Sequence, residues 1–382
     1  MKIVLDPQTY NEQKFGGISR YYTELYLALN KFDGVQIVCP LVYSDNLHLK
    51  EAGLFQNYRN VLFDPGFWPK FINKKVAKFF RKHNRKLTTD LLEKQQFDLF
   101  IPTYYSPYFL ESLQRKAFVL TVYDMIHEVL PQYFVRDKST VPDKKLLMEK
   151  ANKIIAISQS TKNDIIAIYP HINADKIEVV HLSYSIKRDE NVKLQLPEKY
   201  ILFVGNRSDY KNFDFFLKAI APVLIAQKDL FLVCAGGNPF KPKEQQLIAD
   251  LGVSEKLIQQ NFEDNELATY YSNAKCFVFP SEYEGFGIPV LESMACGCPV
   301  VLGNHSSFPE VAGEAGVYFE LNNPTDLRNK ILSLLEDENL RKEYIDKSLV
   351  QARKFSWEKT AQKSLEIYRE AASLNVQHEV AY

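Results

Sequence analysis

The sequence predicts an α/β protein built from two doubly wound domains, each with a parallel sheet. At 382 residues the chain is long enough for two domains of ordinary size. Short apolar runs rich in β-branched residues alternate with helical patterns, as is typical of parallel strands buried on both faces. The charged, aperiodic stretch 189–198, which contains Pro197, divides this alternation into two series. We therefore predict a first domain over 1–190 and a second over 197–355, with a linker between them.

The apolar runs give the predicted strands, and helical periodicity gives the main helices. Strands are expected at 2–5, 35–41, 97–101, 118–122, 153–157, 177–180, 200–204, 230–234, 275–281 and from residue 299. Helices are expected at 19–31, where apolar residues recur at helical spacing, at 289–296, and at the C-terminus, where Ser356 is a plausible N-cap.

Composition excludes several classes of protein. Lys+Arg and Asp+Glu both number 47, and a chain without net charge is not expected to bind nucleic acid. The five cysteines lack the spacing of a disulfide framework or a zinc site, which indicates reduced thiols. No stretch approaches the ~20 apolar residues that span a bilayer. We expect a cytoplasmic protein, at most peripheral at the inner face of the plasma membrane.

The segment 279–300 carries the strongest functional signal. It reads as a buried strand, a glycine-containing loop and a helix that Pro289 can begin without losing a hydrogen bond. Glu284 and Glu292 flank the helix start, where free backbone N–H groups favour an anion. Gly285 and Gly287 allow the backbone to approach a ligand closely. A phosphate site between two carboxylates predicts a nucleotide-sugar ligand, with hydroxyls at both ends and a diphosphate between.

Residues 284–292 read EGFGIPVLE and residues 294–300 read MACGCPV, and this frame resembles the signature of the retaining GT-B glycosyltransferases of the large family four. The resemblance implies two Rossmann-like domains that face a cleft, with the C-terminal helix, about 356–382, packed back on the first domain. It also implies that Glu292 binds the ribose and Glu284 the donor sugar. The backbone of the intervening loop is expected to hold the diphosphate: Phe286, Gly287 and Ile288.

Cations for the diphosphate are predicted in the loop that follows the strand 200–204. A leaving diphosphate gains charge as the glycosidic bond breaks, so fixed cations stabilise the transition state. Lys211, followed by Asn212, matches the family's Lys-Asn pair, whereas Arg207 is spaced differently from the family's arginine. No Asp-x-Asp pair occurs in the sequence. We therefore expect no cofactor and no metal, and transfer with retention of configuration.

The first domain is expected to contribute polar groups at the carboxyl edge of its sheet. Gly16 and Gly17 match the family's first loop, which approaches the donor phosphate and the acceptor. Asp124 follows a buried strand, and it is the expected polar contact in the cleft. Tyr123 stands where the family has a histidine, and His127 follows four residues later, so either could face the sugar. In the second domain, Phe262 lies in the segment whose family counterpart contacts the base.

A basic segment, residues 68–87, stands apart from this pattern. It contains eight Lys and Arg and no acid, and its apolar residues fall at spacings that give one stripe on a helix: Trp68, Ile72, Val76, Phe79, Phe80 and Leu87. Such a basic amphipathic helix is typical of contact with an anionic membrane surface. An ordinary domain helix with a solvated basic face is the alternative.

Together these observations predict a metal-independent hexosyltransferase. Its donor would be a UDP- or GDP-sugar, such as mannose or glucose, and its acceptor a glycan or lipid-linked molecule of bacterial surface polysaccharide synthesis. A sugar-nucleotide epimerase of the same fold and an inactive membrane-associated scaffold remain alternatives. A dehydrogenase is less well supported, since no Gly-x-Gly-x-x-Gly follows the first strand.

Overall fold

The computed structural model describes the backbone of residues 1–53, 70–207 and 209–379, and the side chains of 1–53, 78–207, 209–374. Within these ranges the chain forms two α/β domains, each built on a row of six parallel strands. Apolar side chains fill both faces of the sheets, as the β-branched runs predict. The predicted fold class, with two doubly wound domains, is confirmed.

The first domain combines two three-stranded sheets, ordered β2-β1-β3 and β4-β5-β6, that a parallel bridge between Phe100 and Phe118 joins into one row. Its strands are β1 Lys2–Leu5, β2 Gln36–Val38, β3 Leu99–Ile101, β4 Val119–Val122, β5 Lys153–Ala156 and β6 Ile177–Val179. Its helices are α1 Gln8–Glu12, α2 Gly17–Leu29, α3 Leu47–Glu51, α4 Lys70–Glu93, α5 Leu110–Leu113, α6 Ile126–Val129, α7 Thr140–Lys150 and α8 Gln159–Ile168.

The second domain has one sheet in the order β12-β11-β10-β7-β8-β9. Its strands are β7 Lys199–Val204, β8 Leu230–Ala235, β9 Leu257–Gln260, β10 Cys276–Phe279, β11 Val300–Gly303 and β12 Gly316–Phe319. The remaining helices are α9 Phe213–Ala226, α10 Pro242–Asp250, α11 Leu267–Asn273, α12 Ile288–Ala295, α13 Phe308–Ala312, α14 Pro324–Glu336, α15 Glu338–Ala352 and α16 Trp357–Glu379. Short 3₁₀ turns occur at Pro131–Tyr133, Ala174–Lys176, Asp209–Lys211, Ser254–Lys256 and Gly313–Ala315.

Helix α16 returns to the first domain, where it packs against α2. Its start is fixed by Ser356, whose hydroxyl accepts a hydrogen bond from the Lys359 backbone N–H at 3.2 Å. The Trp357 indole N–H donates to the Ser185 hydroxyl at 2.7 Å. The chain therefore crosses between the domains twice, once after β6 and once before α16, and the two crossings touch each other.

The sheet order brings three loops together between the domains. β7 and β10 are neighbours in the second sheet, and the loops that follow them leave its carboxyl edge side by side. The loop after β4, residues 123–125, leaves the first sheet and contacts the loop after β10. This meeting point is where α/β folds of this type bind ligands.

Candidate functional site

The loop between β10 and α12 is held in shape by hydroxyl groups of its own domain. Ser306 and Ser307 donate hydrogen bonds to the Glu284 carbonyl at 2.6 and 2.9 Å, and Ser307 also donates to the Phe286 carbonyl at 2.9 Å. Gly287 precedes α12 with a φ of +102°, a left-handed conformation that favours glycine. The backbone N–H groups at the start of α12 are thereby set in a fixed position.

Lys211 and Glu284 form an ion pair beside this loop. The Lys211 ammonium lies 2.5 Å from Oε1 of Glu284, and both side chains remain partly exposed. Burial alone would lower the pKa of Lys211, but attraction to Glu284 and Tyr210 more than offsets burial and leaves the pKa above its usual value. The structure thus brings together two predicted site residues that lie 73 positions apart.

Tyr210 and Asp124 complete this cluster. The Tyr210 ring centroid lies 5.0 Å from the Lys211 ammonium. Burial raises the pKa of the Tyr210 hydroxyl. The nearby Lys211 lowers this pKa, and the carboxylates of Glu284 and Asp124 raise it further. Asp124 belongs to the first domain, so both domains contribute to the cluster. Sequence reasoning did not identify Tyr210, although it immediately precedes Lys211.

Arg207 lies in a different environment from the one that its predicted role requires. Its side chain is only 1% exposed, and its Nε lies 3.2 Å from Oε1 of Glu244. The other guanidinium nitrogens donate to the carbonyls of Gly236, Gly237 and Asn238 at 2.7–3.3 Å. These bonds occupy four of the five guanidinium N–H groups of an almost fully buried side chain. In this structure Arg207 therefore supports the turn after β8, and Lys211 is the cation beside Glu284.

The backbone of Gly285 packs against the first domain and does not face open space where a ligand could bind. A Cβ at Gly285 would lie 1.7 Å from the Tyr123 carbonyl oxygen. Beside it, the Tyr283 hydroxyl donates to Asp164 of the first domain at 2.7 Å and accepts from the Met125 N–H at 3.2 Å. Tight contact between the domains thus explains this glycine, which the sequence had suggested would face a ligand.

His127 and Tyr123 occupy different surroundings. The Tyr123 side chain is buried inside the first domain, where its hydroxyl donates to the Thr103 carbonyl at 2.8 Å. The His127 ring lies 4.1 Å from the Phe134 ring and 3.3 Å from Asp137. Phe134 in turn lies 6.0 Å from Tyr210. His127 is therefore one aromatic ring away from the Lys211 cluster, whereas the Tyr123 side chain points away from it.

Three further predicted site residues lie in the first loop and beside the turn after β8. Gly16 precedes α2, and Gly17 is its first residue, where an added Cβ would meet no atom of the described chain within 4 Å. Phe262 is half-buried, and its ring edge lies 3.0 Å from the position of a Cβ on Gly236. The first loop thus leaves open space at Gly17 but not at Gly16, where a Cβ would lie 2.6 Å from the Gln13 side chain, and Phe262 packs against the turn after β8.

Glu292 lies in the second turn of α12 and is 4% exposed. Burial raises the pKa of its carboxyl to about 7, although Arg20 lowers it; Asp264 adds to the rise. Nη1 of Arg20 lies 3.5 Å from Glu292 and 3.9 Å from Asp264. Because Arg20 belongs to α2, a cation of the first domain faces the predicted ribose carboxylate. Sequence reasoning did not identify Arg20 as a site residue. The available signal was the position of Arg20 in the first turn of α2, which Gly17 begins.

The basic segment forms part of α4, and its described side chains correct the predicted apolar stripe. Phe80 packs on Tyr43 at 5.1 Å, and the Asn84 amide donates to Asn11 and to the Tyr43 carbonyl. Phe79, expected on the same face as Phe80, is instead 67% exposed. The exposed cations Lys78, Arg81, Lys82 and Lys86 share its outward side, whereas Arg85 pairs with Glu12 at 3.8 Å.

The predicted apolar residues Trp68, Ile72 and Val76 lie outside the described side chains. Among the helices that the structure describes, none is long and apolar enough to cross a membrane.

Two family models match adjoining parts of the chain. The model described as Glycosyltransferase Family 4 matches residues 15–188, and the model described as Glycosyl transferases group 1 matches residues 186–349. A glycosyltransferase of Methanocaldococcus jannaschii, MJ1178, is 31% identical over 271 residues, which cover 65% of this chain and 75% of that protein. The chain belongs to the family 4 glycosyltransferases. Its predicted family is thereby confirmed, and the protein is an enzyme of glycosyl transfer.

Other members resemble this family 4 glycosyltransferase over most of its length. O-antigen chain mannosyltransferase B of Escherichia coli is 28% identical over 302 residues, 75% of this chain and 78% of that protein. The structure of Anabaena Alr3699/HepE in complex with UDP and glucose superposes with a TM-score of 0.70 at 16% identity, covering 96% of this chain and 98% of that one. The two-domain architecture is therefore GT-B.

Proposed function

We propose that this glycosyltransferase moves a hexosyl group, such as mannose or glucose, from a UDP- or GDP-sugar to a glycan or lipid-linked acceptor in the synthesis of a bacterial surface polysaccharide. Transfer retains the anomeric configuration and needs no metal. The similarity to an O-antigen mannosyltransferase supports the substrate class. The observation that carries the proposal is the Lys211–Glu284 ion pair at the start of α12, with Glu292 buried in the same helix.

The donor fits this arrangement from one end to the other. Glu292 binds the ribose hydroxyls, and Phe262 lies on the side of the base. The start of α12 and the ammonium of Lys211 hold the diphosphate, because a helix N-terminus and a cation both stabilise negative charge. Glu284 accepts hydrogen bonds from the sugar hydroxyls. Since Lys211 already neutralises Glu284 in this structure, an entering diphosphate competes with that carboxylate for the ammonium.

The reaction breaks the bond between the anomeric carbon and the diphosphate oxygen, which keeps the electron pair. The acceptor hydroxyl attacks the anomeric carbon on the face that the diphosphate is leaving, and the diphosphate takes the hydroxyl proton. Lys211 and the α12 amides stabilise the charge that grows on the leaving group, which lowers the barrier. Asp124 and His127 lie on the first-domain side of the cluster, where they can orient the sugar and the acceptor.

The outward side of α4 supports contact with an anionic membrane. Four described cations and the exposed ring of Phe79 share this side, and each Lys or Arg near an anionic bilayer contributes about 1 kcal/mol. A membrane-bound enzyme would meet a lipid-linked acceptor at the surface on which that acceptor resides.

Thermal-shift measurements with UDP, GDP and ADP, and with their hexose conjugates, test the donor assignment. One nucleoside diphosphate should raise the melting temperature without added metal, and excess EDTA should leave both the shift and the activity unchanged. Nuclear magnetic resonance of the product should show the anomeric configuration of the donor. Loss of activity with EDTA, an inverted product, or no shift with any nucleotide would contradict the proposal. Conversion of the donor without acceptor to an epimeric sugar would favour the epimerase alternative.

A further inference from the structure

A charge cluster connects the two domains at the nucleotide end of the site. The Arg20 guanidinium, on the first domain, lies between two carboxylates of the second, at 3.5 Å from Glu292 and 3.9 Å from Asp264. Nδ1 of His48, also on the first domain, lies 4.0 Å from Asp264. The Arg20 side chain keeps a fifth of its surface exposed, whereas Glu292 is almost fully buried. The cluster therefore depends on the apposition of the domains.

The groups that face Glu292 come from helices α2 and α11, from the loop before α11 and from the residue that follows α12. Arg20 faces it from α2, and Asp264 from the loop before α11. The Tyr271 hydroxyl on α11 and the Cys296 thiol after α12 also interact electrostatically with the Glu292 carboxylate. Both of these groups are protonated at neutral pH, because burial raises the pKa of each above its usual value, with the nearby Glu292 charge adding to the rise. Arg20 is thus the cation that stabilises the ionised form of Glu292, against burial and against Asp264.

Ionisation matters for the task assigned to Glu292. An ionised carboxylate only accepts hydrogen bonds, and it can accept one from each of two adjacent ribose hydroxyls. A protonated carboxyl carries its own hydrogen and loses part of this capacity. A buried Glu292 without a neighbouring cation would be protonated at higher pH than it is here.

We propose that Arg20 is a positioning residue from the opposite domain that favours the ionised form of Glu292, so that the ribose site is complete only while the two domains are in contact. The inference rests on the proposed role of Glu292 as the ribose ligand. It couples nucleotide affinity to domain closure through a single charge. Donor binding then favours the closed arrangement, because a ligand stabilises the state that binds it more tightly.

Calorimetric titration of the full chain with GDP and with UDP between pH 5.5 and 9 tests this inference. Wild-type binding should weaken as the pH falls through the range where Glu292 takes up a proton. Arg20→Met should move that midpoint upward by about one pH unit, which weakens binding about fivefold at pH 7 and restores it near pH 9. Arg20→Lys should stay close to wild type. Asp264→Asn should move the midpoint downward, because it removes a charge that opposes ionisation.

Two controls distinguish a failure of this inference from a failure of the proposed role of Glu292 as the ribose ligand. Each variant's melting temperature without nucleotide should stay close to that of the wild type, which shows that it folds. Glu292→Gln should bind the nucleotide weakly at every pH; wild-type affinity in this variant would overturn both the ribose assignment and the inference. Weak binding by Glu292→Gln together with an unshifted profile in Arg20→Met, or with an equal loss at every pH, would overturn the inference alone.

Discussion

Gly285 packs so closely on Tyr123 that a methyl group in place of its hydrogen would lie 1.7 Å from the Tyr123 carbonyl oxygen. The two residues belong to different domains, and each lies in a loop that carries a site residue, Glu284 in one and Asp124 in the other. Their contact therefore sets the distance between the donor-binding loop and the polar groups of the first domain.

Gly285→Ala should separate these loops. Because misplacement by about 1 Å can cost roughly 100-fold in rate, we expect a loss of activity of that order. Gly17→Ala serves as a control for stability, since its added Cβ meets no described atom within 4 Å, and its melting temperature should barely change. Steady-state kinetics measure the activity of Gly285→Ala, and thermal unfolding measures the melting temperatures of both variants. Wild-type activity in Gly285→Ala would show that the domain contact is not needed for transfer.

Lys211→Ala should lower kcat/KM by about 10²–10³, by analogy with the loss of one donor to a developing oxyanion. It should also abolish the thermal shift that the nucleoside diphosphate produces, because the ammonium no longer meets the leaving group. Lys199→Ala is a matched control. Lys199 also forms an ion pair, with Asp229, but it lies at the start of β7, whereas Lys211 lies in the loop that follows the end of this strand. A normal nucleotide-induced shift in Lys211→Ala would remove Lys211 from the diphosphate site.

Glu310→Gln should change how stability depends on pH. The Glu310 carboxylate accepts hydrogen bonds from the N–H groups of Gln159 and Ser160 across the domains, and it lies 2.5 Å from His181. Burial raises the pKa of Glu310, but the bonds from His181 and from the Gln159 amide outweigh it, so the pKa lies below its usual value. A carboxyl with a depressed pKa stabilises the fold above its unfolded pKa of about 4.3, and this contribution is lost as the pH falls further.

The variant should therefore lose about 1 kcal/mol at pH 7, in the range of a helix cap, and its stability should fall less steeply than that of the wild type below pH 5. Denaturant unfolding at pH 7 and between pH 5 and 3 measures both effects. The exposed Glu255→Gln should match the wild type throughout. Parallel acid profiles for wild type and Glu310→Gln would contradict a stabilising role of the ionised carboxylate.

Phe79→Ser should weaken binding to anionic vesicles about tenfold, since an exposed aromatic ring among cations inserts at the lipid boundary. Sedimentation with vesicles of phosphatidylglycerol and of phosphatidylcholine measures the effect, and added salt should weaken only the former. Val350→Ser is a matched control, because Val350 is a comparably exposed apolar residue on the second domain. Equal pelleting with both lipids would contradict membrane contact through α4.

The elements that depend on local chemistry could be predicted from the sequence. β-branched runs located the strands, and Pro289 marked the first turn of α12, because buried parallel strands and helix starts leave local signatures. The sequence also predicted that Lys211 and Glu284 bind the donor, each from its own loop. Their mutual ion pair then follows from the pairing of β7 with β10, which places the two loops side by side.

Partners brought in by tertiary packing could not be predicted from spacing. Arg207 is a loop cation by sequence, but Glu244 on α10, 37 positions away, binds its guanidinium. Phe79 and Phe80 are sequence neighbours, and only the docking of α4 through Asn84 shows which of them faces solvent. The contacts of Gly285 and Arg20 depend on how two domains meet, which no local pattern records.

The hydrogen bond between Trp357 and Ser185 joins the two segments that pass between the domains. Because both crossings pass through this one point, a rotation of one domain against the other has its pivot here. A polypeptide cut once within residues 186–198 would still hold its two halves together through the other tether.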